Sequence, residues 1–190
     1  MPFTPPLIEA EIAAITTNRN FLASEERKAR FDEAIASLES MLEIYVKPES
    51  NKSNAQGLLQ GIQAKLIAVI SGSSFDKPAT KEDKEAAEKK ASLIIDTYKA
   101  HAERMYLDNV RALVPEDKKE AYDAAVLAIG SDAGNNRADT LAATQTIEQI
   151  FKDMKNEKAV TIANSVTTVA RQAALRRTNP VEKPAVAAIG

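Results

Sequence analysis

Between Phe31 and Tyr45 the apolar residues Phe31, Ile35, Leu38, Leu42 and Tyr45 recur at spacings of 4, 3, 4 and 3. A helix turns once in 3.6 residues, so this spacing lines one helical face and would scatter over both faces of a strand. Ser24 stands in front as an N-cap, and Glu25 and Glu26 suit the positive end of the helix dipole. Pro48 ends the run, because it has no amide to donate and crowds the preceding turn. The pattern predicts a helix over 24–46.

The same reasoning extends along the chain. A first helix starts after Thr4, with Pro5 at its first position and Ile8, Ile12 and Ile15 as its stripe; Thr16 to Asn20 reads as a break. After a polar loop, Lys47 to Asn54, a helix from Asn54 to Ser71 carries one broad apolar face, and Gly72 follows as its left-handed cap. Gly57, Gly61, Ala64 and Ala68 form a second stripe of small residues on it. That stripe reads as close packing inside the bundle, with a helix at its centre touched on two sides.

Ser73 to Ala79 is a loop in which Phe75 is a candidate anchor, and Thr80 with Asp83 resembles a capping box. The helix opened there has no Gly or Pro before Pro115 and keeps Ala87, Ala91, Ile94, Tyr98, Ala102 and Met105 in phase. Its early turns, through Lys90, are rich in Lys and Glu and are expected in solvent or on a thin edge. Pro115, at a first-turn position, opens a helix with Tyr122, Val126 and Ile129 inward and Gly130 at its end. Ser131 to Asn136 is rich in turn formers. Helices from Arg137 to Asn156 and over 157–177 complete the set, although the β-branched run from Val160 to Val169 would also suit a strand. The expected fold is all-α: a single-domain bundle of about six to seven helices over 1–178, mostly antiparallel neighbours, with a flexible tail at 179–190. Its core is expected on the 24–46 and 54–71 helices, packed antiparallel.

One internal echo stands out. Leu22 to Ile35 aligns without gaps on Leu113 to Val126, 91 residues on: Leu22/Leu113, Glu25/Glu116, Lys28/Lys119, Asp32/Asp123 and Ala34/Ala125 are identical, and Phe31/Tyr122 is conservative. Either a helical hairpin unit has been duplicated, or two acid-capped amphipathic helices obey the same rules. The match fades past residue 38, and two copies fall short of a solenoid.

The chemistry-bearing residues are sparse. Without cysteine there is no disulfide, thiolate ligand or thiol nucleophile. The one histidine, His101, has Asp96 and Glu103 at offsets that point to other helix faces, and reads as a surface or half-buried residue. Neither Glu-x-x-His nor His-Glu-x-x-His spacing occurs. The Asp132–Arg137 stretch superficially suggests a calcium loop, but Arg137 stands where the turn glycine belongs and Ala143 at the twelfth position. Ser71-Gly72-Ser73-Ser74 matches neither a nucleophile elbow nor a phosphate loop. No cofactor is implied.

Net charge is −2 with pI near 5.6, which gives no reason to expect tight nucleic-acid binding. Acids outnumber bases nine to five over residues 1–50, whereas bases lead seven to three over 150–183. The basic end could meet phosphates or an anionic membrane, but no aromatics interleave it, and cations near helix C-termini account for it. Nucleic acid and membrane are therefore disfavoured. Leu58 to Ile70 is too short and polar to span a bilayer, and no signal peptide is visible, so a soluble cytoplasmic protein or export by a signal-less route is expected.

A helical chain with no visible active centre is expected to present helix faces to a protein partner, as an adaptor, regulator or signal-less effector. The expected contact residues are Arg171, Arg176 and Arg177 near the tail and Lys81 and Lys84 at the head of the long helix. The competing readings are an enzyme whose carboxylates and tyrosines assemble between helices and a structural, self-assembling protein. A homo-oligomer stays open.

Overall fold

The computed structural model describes residues 7, 9–49, 52–72, 77–130 and 137–177. The described residues form α1 (Glu9–Asn20), α2 (Glu25–Tyr45), α3 (Lys52–Ser71), α4 (Lys81–Val110), α5 (Lys119–Gly130), α6 (Arg137–Asp153) and α7 (Glu157–Arg177), with short 3-10 turns at Arg111–Leu113 and Glu116–Lys118. No strand occurs among them, and the β-branched run from Val160 to Val169 is helical. The all-α reading holds. The start after Thr4, the Phe75 anchor, the Ser131–Asn136 loop and the tail at 179–190 lie outside the described residues.

Caps account for several boundaries. The Ser24 hydroxyl accepts from the Arg27 amide at 3.2 Å, Thr80 from Asp83 at 3.2 Å and the Asn156 side chain from Ala159 at 3.1 Å. Asn156 therefore opens α7 and does not end α6, which stops at Asp153. Gly72 takes φ +70°, the left-handed cap expected of it. Pro115 precedes a 3-10 turn, so α5 starts four residues later than the sequence suggested, and α4 ends at Val110, about 45 Å from its start at 1.5 Å per residue. Thr16 to Asn20 is helix, not a break: buried Asn18 donates back to the Ala14 carbonyl at 3.1 Å, so its amide is satisfied within the turn.

The chain gathers into two compact units. Among the described residues, the first comprises those of 7–44 and 53–101, and the second those of 45–52 and 102–177, so the division falls inside α4. In the first unit, Arg27 from the start of α2 reaches the Val69 and Ile70 carbonyls at the end of α3, which sets α2 and α3 antiparallel. Gln63–Ser92 and Lys99–Gln56 set α3 and α4 antiparallel, and Arg19–Asp32 joins the end of α1 to the start of α2. The buried core is Phe31, Ala34, Leu38, Met41 and Leu42 of α2, Leu59, Ile62 and Leu66 of α3, and Ala91, Ile94, Ile95 and Tyr98 of α4.

The small-residue stripe of α3 corrects its sequence reading. Gly57, Gly61, Ala64 and Ala68 are exposed, and a Cβ at Gly57 or Gly61 would meet no atom within 4 Å. The burying face is Ala55, Leu59, Ile62 and Leu66, on the other side of the helix.

The second unit has the same plan. Its first helical segment is Ala102–Val110, followed by α5, α6 and α7. The Tyr122 hydroxyl donates to the Leu107 carbonyl, and the Tyr122 and Phe151 rings meet edge to face at 6.3 Å. The Asn109 side chain donates to the Val46 carbonyl at 2.8 Å, which ties the 45–52 segment into this unit.

The sequence echo continues in geometry. Arg19 clamps Asp32 through two hydrogen bonds of 2.8 and 3.0 Å, and Arg111 clamps Asp123 through two of 2.7 and 2.8 Å. Glu25–Lys28 pairs like Glu116–Lys119, and buried Phe31, Ala34 and Leu38 match buried Tyr122, Ala125 and Ile129. Before the clamp the register shifts by one: Leu22 and Val114, not Leu113, are the buried turn residues, each donating its amide to the carbonyl of its clamp arginine. Downstream, buried Ala55, Leu59, Ile62 and Leu66 repeat the spacing of Thr140, Thr144, Ile147 and Phe151. A forked arginine–carboxylate pair across a turn is nothing that apolar periodicity requires, and it argues for a duplicated four-helix unit.

Candidate functional site

His101 is where the structure adds most to the sequence. Its Nε2 lies 3.0 and 3.3 Å from the two carboxylate oxygens of Glu11, on α1, and both side chains are largely shielded. The sequence offered only Asp96 and Glu103 as neighbours. Glu11 is 90 residues away in the chain, and only the packing of α1 against α4 brings it there.

The other buried polar groups are tied within each unit. Tyr98 donates to Glu39 Oε1 at 3.3 Å, and burial, reinforced by that carboxylate, pushes its phenol well above the ordinary range. Burial raises Tyr106 likewise, and raises Tyr122 with further help from Asp108. A phenol shifted that way keeps its proton at neutral pH, so these tyrosines can donate hydrogen bonds but are poorly suited to abstract protons. Among the described residues, no group of three or more His, Asp or Glu side chains converges to hold a metal ion. No helix among them is long and apolar enough to cross a membrane.

The contact residues expected from sequence fall in different units. Lys81 and Lys84 are exposed at the head of α4, where Lys81 faces Glu85 at 3.8 Å. The surrounding turns to Lys89 are solvent-exposed apart from Ala87, as their composition suggested. Arg171 lies on the outer face of α7 and reaches Glu148 of α6 at 3.2 Å; Lys152 reaches the same carboxylate at 2.7 Å. Those cations hold Glu148 below the usual carboxylate range, Lys152 contributing most. Arg176 and Arg177 belong to the last turn of α7, and their side chains lie outside the described residues.

Around Arg171 the structure shows what sequence reasoning missed. Leu175, one turn on, is 67 % exposed, and Leu141, two turns before Glu148 on α6, is 57 % exposed. Because α6 and α7 run antiparallel and Arg171 marks where they meet, both leucines are displaced from it in the same direction, by roughly 6 and 10 Å along their axes. Along α6 an open hollow is lined by Ala142, Gln145, Thr146, Glu148, Gln149 and Lys152. The result is two exposed leucines beside a polar, charge-paired strip. The sequence signal was present, since Leu141 and Leu175 share a helical face with Glu148 and Arg171 respectively.

No known protein family, characterised protein or solved structure matches this chain.

Proposed function

We propose that the protein is an interaction module that presents a helix face to a protein partner, and that the α6–α7 face is that surface. The observation that carries the reading is the exposure of Leu141 and Leu175 alongside Arg171 and the Glu148–Lys152 pair. Leucines set among hydrogen-bonding groups give a partner both apolar area to bury and polar contacts to fix its register. Arginine is also among the residues whose truncation most often costs a partner affinity. Lys81 and Lys84 stand among exposed charged residues of α4, Glu82, Asp83 and Glu85, and they rank second as contact residues.

The test is affinity capture from the native host with wild type, Leu175→Ser, Arg171→Glu and His101→Ala, each checked for native helix content by circular dichroism. The binding reading expects a captured protein that is retained by His101→Ala and reduced at least about tenfold by the two α7 variants, as for residues near a contact centre. Loss with His101→Ala alone, in a folded chain, would transfer the function to the His101–Glu11 pair and favour the enzyme reading.

A further inference from the structure

The duplicated plan exposes a difference between the first helices of the two units. In the second unit the segment Ala102–Val110 is core: Ala102, Glu103, Tyr106, Leu107 and Val110 are all buried. Its counterpart α1, in register through Arg19 and Arg111, buries only Ala14 and Asn18. Ala14 stands where the second unit has Tyr106, so the largest side chain of the seam is reduced to a methyl group. Ile15 is only half-buried, and Ile12 is about half exposed.

Side-chain pairs tie α1 down near both of its ends. Glu11 meets His101 on α4, and Arg19 forks onto Asp32 on α2. The Arg19–Asp32 pair is substantially exposed, and such pairs contribute little against water. The turn that follows, Phe21 to Ser24, is short, and Leu22 within it is buried, so the chain has an anchor at which α1 could hinge. Asn18 satisfies itself on Ala14 within α1, so lifting the helix breaks no hydrogen bond of that buried amide to the rest of the unit.

We infer that α1 is a detachable latch, docked by the Glu11–His101 and Arg19–Asp32 pairs and able to leave the α2–α4 surface while the rest of the first unit stays folded. Elements with few buried apolar groups open locally at free energies far below that of global unfolding. The second unit's equivalent, with its aromatic and aliphatic side chains buried, opens only with the unit itself.

The absence of native cysteine makes the test direct. Single cysteines are placed in the full chain at Ala14, at Ala91 of α4 and at Ala102, all buried, and their labelling by a thiol reagent is followed without denaturant and in low urea. Ala14→Cys is expected to react at least about 100-fold faster than the other two, at a rate nearly independent of urea, as local opening requires. Glu11→Gln or Arg19→Gln should each speed labelling at residue 14 several-fold and leave that at residue 91 unchanged. Equal rates at residues 14 and 91 with the same urea dependence would show that α1 comes off only when the unit unfolds, and would overturn the inference. So would an equal acceleration at both positions. Hydrogen exchange on the wild type keeps the test independent of cysteine substitution. Amides of residues 13–20 should exchange long before those of 29–44, and matched protection would refute the latch.

Discussion

Leu38 is fully buried in the middle of α2, whereas Ile44 on the same helix is 57 % exposed. Truncating each to alanine therefore asks whether the inward face of α2 is the one described. Leu38→Ala removes three carbons, at about 0.8 kcal/mol each for transfer out of water. The neighbours Phe31, Ala34 and Leu42 are themselves buried and cannot collapse fully into the space. A residual void of about 40 Å³ adds about 1 kcal/mol at ~24 cal/mol per Å³. The expected loss is about 3–4 kcal/mol, against less than about 1 kcal/mol for Ile44→Ala, most of whose side chain already meets water. Urea unfolding followed by circular dichroism at 222 nm reads both. With a slope of about 1–3 kcal/mol per molar, Leu38→Ala should lower the midpoint by at least about 1 M with little change in slope. Equal shifts for the two variants, or a shift at Leu38 worth less than about 1 kcal/mol, would mean that α2 turns a different face to its unit.

Four further outcomes are expected from the same structure. Gly57→Ala and Gly61→Ala, in open space within a helix, should each raise stability by about 0.5–1 kcal/mol. Gly72→Ala should lower it by about 1–2 kcal/mol, since φ is +70° there and a Cβ would press on the Arg27 guanidinium at 3.2 Å; paired thermal melts separate the signs. The raised phenols of Tyr98, Tyr106 and Tyr122 contribute stability that is intact below the unfolded tyrosine value, about 10, and is lost as pH rises above it. At pH near 11 the native chain should therefore show less than about half the tyrosinate absorbance of the urea-unfolded chain, and equal absorbance would refute their burial. Asp123 is held below the usual carboxylate range, chiefly by its hydrogen bonds to Arg111. Its contribution is present above the unfolded carboxylate value and is lost as pH falls through the folded one. The Tm advantage of wild type over Asp123→Asn should shrink between about pH 5 and 2, and a pH-independent gap would rule the pair out as its source.

The helices were legible because their signal is local. The 4, 3, 4, 3 spacing from Phe31, the Ser24 and Thr80 caps and Gly72 act within a few residues of themselves. Thr16–Asn20 was misread for the complementary reason: Thr and Asn weaken a helix in isolation, and only the folded chain shows Asn18 bonding back to Ala14. The α3 glycines failed differently. Small residues on one helical face fit close packing and open solvent equally well, so the pattern alone has no sign. Glu11–His101 was beyond reach because 90 residues separate the partners and neither lies in a motif.

The turn between the clamp residues shows how far an echo can be trusted. The ungapped alignment paired Leu22 with Leu113 by identity, yet burial and the turn hydrogen bond select Val114. Identity was misleading there because the second turn lacks one residue that the first carries between its arginine and its aspartate, which lie 12 positions apart against 13. Past that point the registers of α2 and α5 agree again, since buried side chains can slip only by whole helical contacts. The outward faces obey no such restraint. In α4 the early exposed positions are Lys81, Glu82, Asp83, Lys84, Glu85, Ala86, Glu88 and Lys89, whereas the later exposed positions of α7 are Asn164, Thr168, Arg171 and Leu175. The two units therefore share a buried plan and differ in their surfaces, which is why the tests of the proposed contact are aimed at the α6–α7 face and not at the core.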